Sequence, residues 1–156
     1  MEVSYRIANA ADLQLFFNWT NDVEVRNNSY NSQPISLEEH TNWFLSKVND
    51  GKTIFYIAEV KNQPAGMVRF DIKEENAVVS ISVDKDFRGM GLASILLKDC
   101  CESYFKIESK PVLAYIKSTN TASIHSFQKA HFSFLRNEIF QGIESQVYIK
   151  YKDNDE

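Results

Sequence analysis

Apolar residues recur along the chain with two different spacings, and the changes between them predict a mixed order of strands and helices. Where every second residue is apolar we predict a strand, and where apolar residues lie three and four positions apart we predict a helix. The predicted strands are 3–8, 53–60, 66–72, 77–83, 111–117, 132–138 and 146–151. The predicted helices are 10–19, 21–28, 37–50, 92–105 and 120–130.

This element order predicts an α/β (α+β) fold, in which a mixed, mostly antiparallel central sheet carries helices on both faces. The turns at 62–65 and 74–76 join three successive antiparallel strands, and Gln141-Gly142 marks a hairpin near the end of the chain. No internal repeat and no Pro/Gly/Ser-rich linker divides the chain. We therefore expect one domain over residues 1–152 and a charged, frayed tail at 153–156.

A glycine-rich segment at residues 87–94 separates the strand at 77–83 from the long helix that begins at Leu92. Gly89 and Gly91 let the backbone approach a ligand closely, and the first turn of a helix has free N–H groups that attract anions. Arg88 adds a fixed positive charge that suits phosphate. The segment is therefore predicted to be a pyrophosphate cradle.

Composition and charge narrow the class of protein. The chain is 44% hydrophobic and 24% charged, with a net charge of −4, which is typical of a globular protein and argues against a general nucleic-acid binder. No apolar stretch is long enough to span a bilayer, and no signal-peptide pattern is present. Cys100 and Cys101 are adjacent in a predicted helix and lack metal-ligand spacing. We expect a cytoplasmic protein without metal, membrane or nucleic-acid partners.

The strand order, with a glycine-rich turn after the central strand, resembles the GCN5-related N-acetyltransferase (GNAT) family along nearly the whole chain. That family's acetyl-CoA motif, Arg/Gln-x-x-Gly-x-Gly/Ala, is matched by Arg88, Gly91 and Ala93. About 30 residues later, Asn120 opens a stretch that resembles the family's Asn-x-x-Ala/Ser-x-x-x-Tyr helix, and Asn120 could also be the N-cap of that helix. Two motifs at this separation, within this strand order, make the resemblance specific.

The resemblance implies that acetyl-CoA is the cosubstrate. Backbone amides of residues 88–93 would hold the pyrophosphate, and the strand that contains Ile81 and Val83 would pair with the pantetheine arm. Asn120 and the helix after it would contact the far side of the arm, and a backbone N–H near Val83 would polarise the acetyl carbonyl. The residues expected to bind the cofactor are Ile81, Val83, Arg88, Gly89, Met90, Gly91, Leu92, Ala93, Asn120 and Phe127.

Two positions depart from the family pattern. Phe127 stands where a tyrosine often protonates the departing thiolate, and Val78 stands where many members carry a glutamate. Phenylalanine cannot donate a proton, so either another group does so or the thiolate leaves unassisted. The candidate acids are Tyr148 and His131. For the base, the candidates are a water ordered by Ser80 and Ser82, or His40 acting directly.

The N-terminal third resembles acetyltransferases of nucleotide-linked amino-deoxy sugars, of the pseudaminic-acid pathway type, at residues 18–22, 25–26, 35–40 and 43–44. It resembles ribosomal-protein N-terminal acetyltransferases less closely. Under this resemblance Arg26 and His40 are candidate acceptor-binding residues. Arg26 could instead pair with Asp22 one helical turn earlier, and His40 could be structural.

We therefore predict an N-acetyltransferase in which a neutral primary amine attacks acetyl-CoA directly, because no nucleophile–base pair suggests a covalent intermediate. The expected acceptor is a small amine, with a nucleotide-linked amino sugar favoured. The alternatives are a protein N-terminal acetyltransferase and a degenerate member that binds CoA without catalysis. The resemblance is compatible with a homodimer, although nothing in the sequence identifies an interface.

Overall fold

The computed structural model of the chain describes residues 1–153, and its seven strands form a single sheet. The strands are β1 (Ser4–Ile7), β2 (Thr53–Val60), β3 (Gln63–Ile72), β4 (Ala77–Val83), β5 (Val112–Lys117), β6 (Ser133–Phe140) and β7 (Ile143–Lys150). The helices are α1 (Leu13–Thr20), α2 (Val23–Asn28), α3 (Leu37–Val48), α4 (Leu92–Ile107) and α5 (Thr121–Lys129). Apart from Asp153, the tail predicted at 153–156 lies outside the described residues.

The strand order in the sheet is β1-β2-β3-β4-β5-β7-β6, and the one parallel pair is β4 with β5. The prediction of a mixed, mostly antiparallel sheet is therefore confirmed. One face of the sheet packs against α1 and α3 through an aromatic core that includes Phe16, Phe44 and Phe55. The opposite face packs against α4 and α5, where Leu96 and Phe127 are buried.

Three strand boundaries differ from the predicted ones by two residues or more, because the hairpin turns are tighter than expected, and one of them is the start of β7 at Ile143. β3 begins at Gln63 after the two-residue turn Lys61-Asn62, and β6 continues to Phe140 before the turn at Gln141-Gly142. All four turn residues have positive φ, which is typical of the two-residue turns that match the twist of antiparallel strands. Within residues 1–153, no helix is both long and apolar enough to cross a membrane.

β4 and β5 lie side by side only at their N-terminal ends. They pair at Ala77–Val112 and Val78–Leu113 and nowhere beyond. β4 nevertheless pairs with β3 as far as Val83, and β5 pairs with β7 along its whole length. The two halves of the sheet therefore diverge between residues 79–83 of β4 and residues 114–117 of β5, which we call the open gap.

Candidate functional site

The glycine-rich turn lies at the wide end of the open gap, because it follows the last residues of β4 in the chain. Gly89 and Gly91 have φ of 78° and 73°, a conformation that costs other L-residues about 1–2 kcal/mol. A Cβ built on either glycine would meet no atom within 4 Å. The glycines are therefore required by the backbone conformation, and the space beside them is open to a ligand.

The N-terminus of α4 lacks a side-chain cap. Gly91 is the N-cap residue and accepts no hydrogen bond through a side chain, whereas α2, α3 and α5 are capped by Asp22, Ser36 and Asn120. The first N–H groups of any α-helix have no partner within the helix, and they carry the positive end of the helix dipole. The amides that open α4, beginning at Leu92, are therefore arranged to bind an anion.

The edge of β4 that faces the open gap supplies backbone groups without a strand partner. In the register with β3, Ile81 and Val83 lie opposite Val68 and Gly66 and are half-buried on the α4 face. An extended ligand in the gap can pair with this edge as an added strand does. The geometry is compatible with the pantetheine contact predicted at Ile81 and Val83.

Across the gap, β5 leads directly into α5, which begins beside the same opening. The Oδ1 of Asn120 accepts a hydrogen bond from the Ser123 amide at 3.2 Å, so Asn120 is the helix cap that its position in the sequence suggests. Phe127 is 3% exposed and packs edge-to-face on Phe132 with ring centroids 4.9 Å apart. Phe127 is therefore part of the core beneath the gap.

The candidate acids and bases lie on both faces of the sheet. Tyr148 is buried on the α4 face, where its hydroxyl donates to Gln146 at 2.9 Å and accepts from Gln128, the residue after Phe127. Ser80 and Ser82 face the α1 side, and the Ser80 hydroxyl accepts a hydrogen bond from Arg69 at 3.1 Å. Ser82 is half-buried on this face.

His131 is exposed and has a φ of 69° at the turn after α5. It terminates the helix as a residue in the left-handed region, a position that usually favours glycine. The structure gives it no hydrogen bond through its ring within residues 1–153. His131 therefore has a role in the turn.

His40 is buried in the aromatic core, so the expectation that it acts as a base or binds the acceptor is wrong. Its ring stacks on Phe44 at 5.7 Å, and its Nε2 lies 3.2 Å from the carbonyl oxygen of Leu13. The side chain is 1% exposed, and burial lowers the pKa of His40, which the bond to Leu13 opposes. His40 therefore joins α3 to α1.

Arg26 is also unavailable to a substrate in this structure. Its guanidinium donates to the carbonyl oxygens of Thr20 and Asn31 at 2.7 and 2.8 Å and to the hydroxyl of Ser29 at 3.2 Å. The alternative pair with Asp22 is not formed, since Asp22 pairs with Arg88, and these bonds occupy the guanidinium that was expected to bind a substrate phosphate or carboxylate. Arg26 instead holds together the chain on both sides of α2.

The carboxylate of Asp22 pairs with Arg88, across 66 positions of sequence. The guanidinium of Arg88 lies 2.8 Å from Asp22 and 2.7 Å from Glu24, and its Nε donates to the Val83 carbonyl oxygen at 3.0 Å. The positive charge of Arg88, which the sequence suggested for phosphate binding, is thus neutralised by two carboxylates. No periodicity or spacing signals a contact over this sequence distance, and sequence analysis missed it.

A segment at residues 21–35, which we call the strap, joins the two sides of the open gap. On the β4 side it is held by Arg88. On the other side Lys117 donates to the carbonyl oxygen of Asn27 at 3.1 Å, and the hydroxyl of Tyr30 donates to Ser145 on β7 at 2.7 Å. The Tyr30 ring also packs edge-to-face on Phe140 at 4.9 Å. The strap therefore spans the gap on the α1 face.

The structure thus brings the turn, the edge of β4 and the start of α5 to one opening. It buries His40 in the aromatic core and engages the Arg26 side chain within the strap. Tyr30 and Tyr115 are additional residues on the α1 face of this opening, and Tyr115 stacks on Phe140 at 4.3 Å. The sequence marked neither tyrosine, because only the register of β5 and the course of the strap place them there. Among the described residues, no three His, Cys, Asp or Glu side chains are grouped to hold a metal ion.

Comparison with known proteins gives a family and a fold. The profile of the acetyltransferase (GNAT) family matches residues 14–132, and no curated protein sequence matches the chain. The solved spermidine N-acetyltransferase from Vibrio cholerae, in complex with CoA and spermine, has a TM-score of 0.85 at 16% identity, over 96% of this chain and 95% of that chain.

Two further solved structures share the fold. The aminoglycoside acetyltransferase AAC(6')-Ib in complex with coenzyme A has a TM-score of 0.83 at 15% identity, over 97% of this chain and 95% of that chain. The ribosomal-protein-alanine N-acetyltransferase from Brucella melitensis has a TM-score of 0.81 at 22% identity, over 95% of this chain and 99% of that chain. These three neighbours carry names with different acceptors, so the shared fold does not select one.

Proposed function

The chain belongs to the acetyltransferase (GNAT) family, and from this premise we propose that it transfers an acetyl group from acetyl-CoA to a primary amine. One observation carries the proposal: the uncapped N-terminus of α4, with its two left-handed glycines, lies at the wide end of the gap between β4 and β5. An anion site and an unpaired strand edge in succession match a ligand with a pyrophosphate and an extended amide arm.

The residues of the opening divide the work of binding CoA. The backbone amides of residues 89–93 would hold the pyrophosphate at the start of α4. The edge of β4 at Ile81 and Val83 would pair with the pantetheine arm through groups other than the Val83 carbonyl oxygen, which accepts from Arg88, and Asn120 would border the arm from the α5 side. A backbone N–H at the end of β4 would polarise the acetyl carbonyl, and such a donor stabilises the negative charge that develops there.

The acetyl group would pass directly to the amine. The two cysteines offer no alternative, because Cys100 and Cys101 are buried and burial raises the pKa of Cys101 to about 12. Tyr148 is the proposed acid for the departing thiolate, since its hydroxyl lies beside α5 where Phe127 cannot donate. Ser82 is proposed to order a water that removes the proton from the amine.

The acceptor would enter on the α1 face of the gap, between the strap and the sheet. Tyr30 and Tyr115 border this space, and their rings suit the apolar face of a sugar or an alkyl amine. A nucleotide-linked amino sugar stays the acceptor favoured by the sequence resemblance. The guanidinium of Arg26, a candidate ligand for the acceptor, is instead engaged within the strap.

Release of free thiol from acetyl-CoA, measured with a panel of amines, tests the proposal. The panel contains a UDP-linked 4-amino sugar, an aminoglycoside, a polyamine and a peptide with an N-terminal alanine. Thiol release that depends on one of these amines supports the proposed function and identifies the acceptor class. Binding of CoA by calorimetry without turnover of any amine would instead favour the degenerate CoA-binding protein that the substitutions Phe127 and Val78 suggest.

A further inference from the structure

Oxygen atoms of the protein already occupy the guanidinium of Arg88. Its guanidinium is surrounded by the Val83 carbonyl oxygen and by the carboxylates of Asp22 and Glu24, with all three distances at 3.0 Å or less. Two negative charges on one positive charge leave this cluster with a net charge of −1. A phosphate approaching the Arg88 side chain would therefore meet a group that is already neutralised.

The partners of Arg88 belong to the strap. Asp22 is the N-cap of α2 and also accepts hydrogen bonds from the amides of Glu24 and Val25. Arg88 thus joins the end of β4 and the glycine-rich turn to the segment that covers the α1 face of the gap. The Arg88 side chain is 28% exposed and that of Asp22 is 20% exposed, so water screens this pair less than a fully exposed pair.

We propose that Arg88 is a positioning residue for the acceptor side, which holds the strap against the end of β4, and that it is not a ligand of the pyrophosphate. In this arrangement the backbone amides of residues 89–93 bind the anion without the Arg88 side chain. The side chain fixes one end of the strap, while Tyr30 and Lys117 fix the other end. Loss of Arg88 then loosens the acceptor side and leaves the cofactor side intact.

The test compares Arg88→Gln and Asp22→Asn with Arg6→Gln, which removes an arginine that two carboxylates also hold, Asp12 at 2.8 Å and Glu59 at 3.8 Å, on the edge strand β1. Two readouts need no acceptor: the Kd for CoA from calorimetry, and hydrogen exchange of residues 21–35. The third is the KM for the amine that gives the fastest thiol release in the panel. Asn at position 22 still has an oxygen that can cap α2, so this variant removes the ion pair and keeps the helix.

For Arg88→Gln and Asp22→Asn we expect exchange in the strap to increase and the amine KM to rise on the order of tenfold, while the Kd for CoA changes less than about threefold. Arg6→Gln, on the edge strand farthest from the gap in this half of the sheet, should leave all three unchanged. A loss of CoA affinity of about tenfold or more in Arg88→Gln, with the strap still protected, would overturn the inference and make Arg88 a phosphate ligand.

Arg88→Lys separates a positioning role from a charge effect. A lysine keeps the positive charge but has a single head that cannot contact Val83, Asp22 and Glu24 as the planar fork does. We expect the strap of this variant to exchange faster than in the wild type, whereas a phosphate ligand would be rescued by lysine. This inference rests on the proposed CoA site, but different results would refute each of them. If the wild-type chain does not bind CoA, the proposed site is refuted. If the wild type binds CoA and Arg88→Gln loses that affinity, the positioning role of Arg88 is refuted.

Discussion

Tyr148 is the single side chain on which the proposed chemistry of the leaving group depends. Its hydroxyl is hydrogen-bonded to Gln128 and Gln146 on the α5 side of the sheet, and the family's usual tyrosine is replaced by Phe127. Under this proposal a strand provides the acid, in place of the helix. This assignment differs from the family pattern, and it can be tested by replacing Tyr148 with phenylalanine, which removes only the hydroxyl.

For Tyr148→Phe we expect kcat to fall on the order of a hundredfold, because a general acid contributes this much or more to a proton transfer. The Kd for CoA should stay unchanged, since the ring remains in place. Tyr104→Phe is the matched control: Tyr104 is also buried, and its hydroxyl donates to the Lys110 carbonyl oxygen far along α4. An unchanged kcat in Tyr148→Phe would mean that the thiolate leaves unassisted.

His40 illustrates a residue whose type suggested catalysis and whose surroundings make it structural. Replacing it with alanine removes a buried ring and its bond to Leu13, which should lower the free energy of unfolding by about 2–4 kcal/mol. Acetyl transfer per folded molecule should not change. Urea unfolding and steady-state kinetics measure the two quantities, and a large loss of kcat in fully folded His40→Ala would show that the structural role is incomplete.

The same histidine makes stability depend on pH. Its pKa is lowered in the folded chain from the ordinary 6.5, so the unfolded chain binds the proton more readily. Neutral His40 therefore makes its full contribution to the free energy of unfolding above pH 6.5. That contribution is lost as the pH falls below 6.5 and through the lowered pKa of His40 in the folded chain. His40→Ala should lack this part of the acid sensitivity.

At the scale of elements, the site depends on how β4 is held against its neighbours. Gly66 on β3 lies opposite Val83, and a Cβ there would come within 2.7 Å of the Ser82 carbonyl oxygen and 3.0 Å of Leu96. The first of these atoms belongs to the backbone and cannot move alone. Close approach of β3 to the end of β4 therefore requires glycine at this position.

Gly66→Ala should consequently displace the end of β4 and lower the free energy of unfolding by about 1–3 kcal/mol. Because the same stretch of β4 borders the open gap, we also expect weaker CoA binding in molecules that remain folded. Thermal unfolding and calorimetry with CoA provide the two measurements. If CoA affinity is retained together with wild-type stability, the end of β4 tolerates the shift, and its position is not critical for binding.

At the scale of the whole molecule, local patterns in the sequence were sufficient for the sheet, its helices and the glycine-rich turn, because each depends on neighbouring residues. The α5 cap at Asn120 was found for the same reason. The role of Arg88 was not, because its partners are decided by how α2 meets the end of β4. The role of Arg26 was not found either, because it depends on how the irregular chain on both sides of α2 folds back on the helix. The opening between β4 and β5 was also beyond local pattern, since it arises from pairing that stops after two residues.

The central claim is that the turn at the start of α4 binds the pyrophosphate of acetyl-CoA, and calorimetric titration of acetyl-CoA into Gly91→Glu tests it most directly. Gly142→Glu is the matched control, because Gly142 also has positive φ and open space around its Cα but lies in the β6–β7 turn. The account predicts that the wild type and Gly142→Glu bind acetyl-CoA and that Gly91→Glu does not. Equal affinity in all three proteins would contradict it.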